Sequence, residues 1–350
     1  MINTKETIQF KLPELLACPE PTELRNIARD DVRLLVTKGD GSVDHSFFNR
    51  FSENLQAGDV LVVNTSATQA AAFPIEISKG RKGMVHFSTQ INHEEWLVEI
   101  REIKGNKTIR WKDGAENEVF NLPNKGTIKL KSKFYENRDL LHLWTVEVNI
   151  DQDIQSYMQM YGQPIKYENL DKAYPLDYYQ TYFSYQPGSS EMPSAGRGFT
   201  SLLVNKLLEK GIELVPVLLH TGVSSLEENE APYPEYMELS PASAKIINKA
   251  KRTGRRIVAV GTTAVRAVES ATNIQGEVVP YKGNTSLYIQ NEYKMRTINA
   301  MLTGFHEPKA SHLNMLQSLA GADHIDEAYN AAIDNNYYWH QFGDLHLILP

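Results

Sequence analysis

The chain has 350 residues, 41% hydrophobic and 23% charged, which is enough apolar material for one large domain with a smaller one, or for two comparable domains. A formal net charge of −7 argues against an extended nucleic-acid-binding surface, and the basic stretch 245–256 is either a local nucleic-acid-binding patch or a solvated helix face. One cysteine, Cys18, excludes an internal disulfide and a multi-cysteine metal site. The lack of a long apolar run predicts no membrane contact, and we expect a cytoplasmic protein.

The first third of the chain contains one strong strand signal, the apolar run "DVLVVN" at residues 59–64. From about residue 73 to 150 the pattern changes, and six short runs alternate apolar and polar residues: "FPIEI", "MVHFS", "EWLVEI", "KTIRW", "GTIKLK" and "LWTVEV". Turn signals such as "KGNK", "KDG" and "NKG" separate them. Short strands with glycine-bearing turns predict an antiparallel meander or a small barrel.

The second half alternates helices with buried strands. Helical patterns start at Thr200 and Ser240, each of which is a suitable N-cap, and Pro241 fits a first helical position. The runs "ELVPVLLH" and "RRIVAVGTT" are predicted strands. This alternation predicts a mixed α/β domain with a largely parallel sheet, built from residues 1–69 and 153–350, into which residues 70–152 insert a small antiparallel β-barrel domain. The polar stretch 149–175 would lead back to the first domain.

The stretch "AVGTTAVRAVES" predicts a turn from a strand into a helix at the carboxyl edge of the parallel sheet, where helix N-termini bind ligands. Gly261 permits close backbone approach, and Thr262 or Thr263 is expected to cap the helix. Arg266 and Glu269 are three residues apart and share one helix face. They are either an ordinary surface ion pair or residues of a binding site.

Two histidines end other runs of the same kind. His220 follows an apolar strand and precedes Gly222, and His306 lies in a turn before a further helical stretch. Together with the Pro, Ala and Gly-rich turn in "EMPSAGRGFT", these ends are expected to converge on one edge. His220, His306 and His312 do not have the close spacing of metal ligands, so no metal site is expected.

The order and spacing of many fragments resemble one family. They run from "FKLPELLA", "DHSFF" and "GDVLVVN" through "YQT", "PSAG" and "AVGTTAVRAVES" to "TGFHEP" and "FGDLHLIL". Over nearly its whole length the chain resembles the S-adenosylmethionine:tRNA ribosyltransferase-isomerases of queuosine biosynthesis. The resemblance implies an α/β domain with an inserted β-barrel. It also implies transfer and isomerisation of the ribosyl group of S-adenosylmethionine onto the 7-aminomethyl-7-deazaguanine base of tRNA, giving epoxyqueuosine-tRNA, adenine and methionine.

In this interpretation S-adenosylmethionine is a ribosyl-donor substrate, no true cofactor or metal is needed, tRNA is the partner and the protein acts as a monomer. The catalytic candidates are His220, Glu269 and His306. For Arg197 a contact with a carboxylate or phosphate and plain exposure both stay open; for Gln180 and Thr181 a hydrogen-bonded core role stays open. The substrate-binding candidates are Gln180, Thr181, Ala195, Gly196, Arg197, Gly222, Gly261, Thr262, Thr263, Arg266 and Phe305.

Several polar positions differ from the family pattern. Thr65, Ser66 and Ala67 stand where the family has Asp-Thr-Arg, Gly198 stands at a histidine position and Ser286 at an aspartate position. Two alternatives therefore stay open. One is a divergent paralogue that acts on another nucleoside-type or S-adenosyl substrate, and the other is a non-catalytic protein that binds S-adenosylmethionine or RNA.

Overall fold

The computed structural model describes residues 8–77, 80–105, 107–134, 143–170, 172–223 and 232–349. Its strands are β1 (Arg33–Thr37), β2 (Val43–Phe47), β3 (Val60–Asn64), β4 (Ser66–Thr68), β5 (Ala72–Ile77), β6 (Arg81–Gln90), β7 (Glu95–Lys104), β8 (Lys107–Arg110), β9 (Val119–Asn121), β10 (Thr127–Lys133), β11 (Leu143–Asn149), β12 (Gln186–Ser189), β13 (Glu213–Leu219), β14 (Glu235–Leu239), β15 (Ile257–Val260), β16 (Tyr281–Thr285), β17 (Ala300–Gly304) and β18 (Leu345–Ile348). Its helices are α1 (Ile154–Tyr161), α2 (Ser201–Glu209), α3 (Pro241–Arg252), α4 (Gly261–Ser270), α5 (His312–Ala320) and α6 (Ala322–Asp334).

The larger sheet has the strand order β16-β14-β13-β3-β15-β17-β18-β1-β2. Its centre, β13-β3-β15-β17, is parallel. Every residue of β3 and β15 is buried, because helices and loops cover both faces of this part of the sheet. Val62 packs into the cluster that contains α3 and α4, and its neighbour Leu61 packs into the cluster that contains α2. The continuous apolar runs of the sequence are therefore strands with a core on each side.

The predicted helix caps are confirmed in α2 and α3 and wrong in α4. The hydroxyls of Thr200 and Ser240 accept hydrogen bonds from backbone N–H groups at 3.2 Å and 3.0 Å. In α4 the N-cap is Val260, which provides no side-chain cap. β15 runs directly into α4 at Gly261, whose φ of 84° makes the bend, so Thr262 and Thr263 fall inside the first turn.

The strands from β5 to β11 form a separate antiparallel sheet in the order β5-β6-β7-β11-β10-β9, with β8 paired to β7. β9 lies back against β5, so the sheet curls into a nearly closed barrel around a core that includes Phe73, Phe87 and Trp96. The three-residue strand β9 is too short to leave a pattern in the sequence.

The stretch 149–175 is not only a polar connection, as the sequence suggested. Asp153 caps α1 by accepting from Ser156 N at 2.9 Å, and α1 places Tyr157 and Met158 in the barrel core. The predicted fold class, a mixed α/β sheet with an antiparallel barrel-like sheet, is confirmed; the exact domain limits stay predictions. Within the described ranges, no helix is long and apolar enough to cross a membrane.

Candidate active site

Four parallel strands end at one edge of the large sheet. The residues that follow β13, β3, β15 and β17 are His220, Thr65, Gly261 and Phe305. β14 begins at the same edge with Glu235, because it runs antiparallel to β13. Ligands of parallel sheets bind at this edge, where helix N-termini and loop side chains collect. The structure therefore brings the predicted strand ends together.

Asn64, the last residue of β3, ties three of these ends to one another. Its Nδ2 donates to Leu219 O at 2.8 Å and to Thr263 Oγ1 at 3.2 Å. Its Oδ1 accepts from Leu219 N at 3.0 Å and from Ser66 N at 3.1 Å. A single buried amide thus fixes the end of β13 and the first turn of α4 relative to β3.

His220 lies in a narrow slot. Its ring stacks on Tyr236 with centroids 5.8 Å apart, and a Cβ added at Gly188 would come within 2.3 Å of its Nδ1. Nδ1 is 2.7 Å from Ser66 Oγ. Burial lowers the pKa of His220 to about 4, against the opposing charge of Glu238. The imidazole is therefore neutral at neutral pH.

Arg266 is buried and does not form a surface pair with Glu269. Its guanidinium forms an ion pair with Glu235, and its Nε donates to Leu287 O at 3.1 Å. The other oxygen of Glu235 accepts from Gly222 N at 2.8 Å. Glu235 thus links the turn after β13 to α4, and it orients the guanidinium at the carboxyl edge.

The barrel borders this edge through β6. A Cβ at Gly222 would lie 2.6 Å from Ser88 Oγ, so this turn can approach the barrel only as glycine. Val223 N donates to Ser88 Oγ at 3.0 Å, and Ser190 Oγ donates to Ser88 O at 2.9 Å. The barrel is therefore part of the wall around the candidate site.

Glu269 is fully buried and stabilises the segment before β17. Its carboxylate accepts from the N–H groups of Arg296, Thr297 and Ile298 at 2.9–3.0 Å and from Tyr293 Oη at 3.0 Å. Glu269 therefore does not form the ion pair with Arg266 that the sequence left open, because its donors belong to another segment. For a catalytic role, Glu269 must exchange at least one of these donors for a substrate atom.

The turn Ser194–Gly196 lies against the start of α4. A Cβ added at Gly261 would be 3.2 Å from the Cβ of Ala195, and one at Gly196 would be 3.4 Å from Thr181. The small residues of the "PSAG" stretch therefore let this turn approach the helix N-terminus closely, as expected of residues at the edge of a ligand site.

Arg197 is buried, so of the two alternatives that the sequence left open, plain exposure is wrong. Its Nη2 pairs with Glu23 at 2.6 Å, its Nε donates to Tyr178 O at 2.9 Å, and its Nη1 donates to Thr22 Oγ1 at 3.0 Å. Burial lowers its pKa to about 10 while the charge of Glu23 opposes the shift, so it stays a cation. The carboxylate that it holds belongs to Glu23 of the same chain.

Gln180 and Thr181 contact the protein backbone. The side-chain amide of Gln180 accepts from Thr68 N at 3.1 Å and donates to Thr68 O at 2.8 Å. It thus satisfies both backbone groups of Thr68, in the way that the backbone of a neighbouring strand does. Thr181 Oγ1 accepts from Phe183 N at 3.2 Å. These contacts favour the hydrogen-bonded core role that the sequence left open.

His306 forms a stacked pair with His312, with ring centroids 4.6 Å apart and planes 10° apart. His306 Nε2 is 3.0 Å from Thr303 Oγ1. Burial is the main cause that lowers the pKa of His306 to about 3, and the neighbouring His312 is the second. Phe305 is buried against Trp339, with centroids 4.6 Å apart. Among the described residues, no group of three or more His, Cys, Asp or Glu side chains is arranged to hold a metal ion.

Four residues of this edge escaped the sequence-based prediction: Ser66, Ser189, Glu235 and His312. Glu235 and Ser189 contact the candidate residues only because β14 and β12 return to this edge.

The parallel centre of the sheet, its polar carboxyl edge and the adjoining barrel define an α/β protein with a candidate ligand site at the strand ends. The chain matches the family described as "Queuosine biosynthesis protein" over residues 5–348. Proteins named S-adenosylmethionine:tRNA ribosyltransferase-isomerase from Desulforamulus reducens and Fusobacterium nucleatum are 31% and 32% identical to it, over 97% and 96% of this chain and 98% and 94% of theirs. The chain therefore belongs to the queuosine biosynthesis protein family.

A solved structure has the same fold. The crystal structure of an S-adenosylmethionine tRNA ribosyltransferase from Thermotoga maritima is 23% identical and superposes with a TM-score of 0.55, covering 98% of this chain and 100% of that one. The sequence-based prediction of the family is confirmed by the family match and by the relatives together.

Proposed function

We propose that this protein transfers and isomerises the ribosyl group of S-adenosylmethionine onto the 7-aminomethyl-7-deazaguanine base of a tRNA. Adenine and methionine leave, and the product is epoxyqueuosine-tRNA. The observation that carries this proposal is the full-length match to relatives named for this reaction, which spans 97% of this chain and 98% of the first relative. The match includes the large sheet and the barrel alike.

The geometry of the carboxyl edge supports S-adenosylmethionine as the ligand. Gly261 and Gly222 let the turns at this edge pack closely against Ala195 and Ser88, and α4 starts without a side-chain cap on its first N–H groups. Arg266 is a cation at this edge, and the methionine carboxylate would share its guanidinium with Glu235. S-adenosylmethionine would thus bind between the turns after Val260 and His220.

The reaction requires groups that handle protons near the sulfonium and the departing adenine, in a pocket that excludes water. His220 and His306 are neutral imidazoles at this edge, and Glu269 is the carboxylate behind it. S-adenosylmethionine is consumed as a substrate, so the proposal includes no cofactor and no metal. In this proposal the protein acts in the cytoplasm, where tRNA is found, and it acts as a monomer.

The test is an assay of purified protein with S-adenosylmethionine and tRNA that carries the precursor base. We expect adenine and methionine to be released in step with modification of the base. The matched control is the same tRNA with guanine at that position, which lacks the amine acceptor. Binding of S-adenosylmethionine without release would support the non-catalytic alternative, which the names of the relatives do not favour.

A further inference from the structure

A chain of three hydrogen bonds leads from the backbone to His220. Thr221 N lies 3.0 Å from Ser189 Oγ, Ser189 Oγ lies 2.6 Å from Ser66 Oγ, and Ser66 Oγ lies 2.7 Å from His220 Nδ1. Both serines are fully buried. Water therefore does not compete for these groups, and each must find its partners within the chain.

The direction of this chain follows from its first member. A backbone N–H can only donate, so Ser189 Oγ accepts from Thr221 N. The hydroxyl hydrogen of Ser189 then has Ser66 Oγ as its acceptor, and the hydroxyl hydrogen of Ser66 has His220 Nδ1. In this arrangement every hydrogen is used, and Nδ1 accepts.

The reverse arrangement leaves a group unsatisfied. If His220 Nδ1 carried the proton, it would donate to Ser66, and Ser66 would donate to Ser189. The hydroxyl hydrogen of Ser189 would then have no acceptor among the described residues, in a place without access to solvent. An unsatisfied buried donor is costly, so the first arrangement is the stable one.

We propose that Ser189 and Ser66 hold His220 as the neutral tautomer with its proton on Nε2, so that Nε2 donates a hydrogen bond to an acceptor atom of the bound S-adenosyl group. This inference rests on the proposed function and gives His220 a role other than general base. Among the described residues Nε2 has no hydrogen-bond partner, and the His220 side chain is only partly buried, which leaves Nε2 available to a ligand. A fixed neutral donor stabilises charge that develops on a leaving group without first having to be protonated.

The surroundings of His220 keep the ring neutral and in place. The ring is packed between Gly188 and Tyr236, so it cannot tilt away from Ser66. The nearby charged group is Glu238, which is itself bound by Tyr236 Oη and, at 3.0 Å, by Lys282. With that carboxylate already paired, burial determines the charge state of the imidazole.

The tautomer can be tested on the intact protein without substrate. In protein labelled with ¹⁵N-histidine, long-range proton–nitrogen spectra at neutral pH should show His220 with an unprotonated Nδ1 and a protonated Nε2. The signals are assigned by their loss in His220→Gln. Ser66→Ala should mix the two tautomers, whereas Ser66→Thr, which keeps the hydroxyl, should not. A protonated Nδ1 in the wild type overturns the proposal, whatever the activity of the protein.

The role of Nε2 is tested with two variants of similar size. His220→Gln retains an N–H donor near the position of Nε2 but cannot accept a proton at neutral pH, and His220→Leu offers neither. With both variants folded by circular dichroism, we expect kcat for adenine release to stay within about tenfold of wild type in His220→Gln and to fall about a hundredfold or more in His220→Leu. An equal loss in the two variants overturns the donor role. An inactive wild type contradicts the proposed function, and the tautomer measurement still stands on its own.

Discussion

Glu269 in the large α/β part and Glu99 in the barrel are both buried carboxylates, and their charges are compensated differently. Glu269 in α4 is surrounded mainly by neutral donors, three of them backbone N–H groups. Glu99 in β7 is bound by Arg101 at 2.8 Å and by Arg110 at 3.0 Å, with His86 at 3.7 Å. A buried charge needs donors, and either dipoles or cations satisfy that need.

The two carboxylates stabilise different segments of the chain. Glu269 fixes the loop that leads into β17 and so to His306. The Glu99 cluster fixes the outer face of the barrel, and Arg101 extends it to Glu168 at 3.3 Å on the segment that returns to the large sheet. One carboxylate therefore positions part of the candidate site, and the other stabilises the barrel against its neighbouring segment.

The largest effect is expected for Glu269→Ala. It leaves three backbone N–H groups, two of them buried, and the Tyr293 hydroxyl without their acceptor, so we expect the free energy of unfolding to fall by about 4 kcal/mol. Urea unfolding measures this loss. The control is Glu277→Ala, an exposed glutamate that should cost under about 0.5 kcal/mol. Similar losses in the two variants would contradict the role given to Glu269.

A somewhat smaller loss is expected for Glu99→Gln. The amide keeps the shape but removes the charge between Arg101 and Arg110, and the two buried cations then repel each other. We expect a loss of about 3 kcal/mol in urea unfolding. The exposed pair of Glu147 with Lys131 provides the control, because Glu147→Gln should cost less than about 1 kcal/mol. An unchanged free energy of unfolding in Glu99→Gln would mean that the charge of Glu99 adds no net stability.

Acid should remove the contribution of Glu99 to the stability of the protein. Burial acts to raise the pKa of Glu99, but His86, Arg101 and Arg110 together hold it at about 2, below its ordinary 4.5. Because the pKa is lower in the folded state, this contribution to stability is complete above pH 4.5 and is lost as the pH falls toward 2. Urea unfolding from pH 7 to about 3 should therefore give a flatter acid dependence in Glu99→Gln than in wild type. Parallel curves for the two proteins would refute this assignment.

The smallest effect concerns ligand binding at Arg266. Arg266→Lys keeps the charge but loses the fork that contacts Glu235 and Leu287 O, so we expect S-adenosylmethionine to bind about tenfold more weakly, or about 1.4 kcal/mol. Because the guanidinium is buried, stability should fall as well, and calorimetry must compare fully folded samples. Arg252→Lys, at an exposed position of α3, is the matched control and should bind like wild type. Unchanged affinity in Arg266→Lys would remove this residue from the proposed site.

Much of the fold could be predicted because its signals are local. The runs that became β3, β13 and β15, the caps Thr200 and Ser240, and the alternating strands of the barrel all depend on residues close together in the chain. The missed helix α1 has a polar composition, and its apolar residues Tyr157 and Met158 make sense only against the barrel core. Local patterns do not reveal a face that a distant element buries.

The site was predicted less completely, for the same reason. The sequence by itself determined the strand ends, Gly261, and the histidines 220 and 306 as residues of one edge, because parallel strands end together. Only the tertiary structure decided that Arg266 pairs with Glu235, that Arg197 turns to Glu23, and that Ser66 reaches His220 across 154 positions of the chain. The charge state and the hydrogen-bond direction of a side chain depend on its burial and its spatial neighbours, and folding alone brings those together.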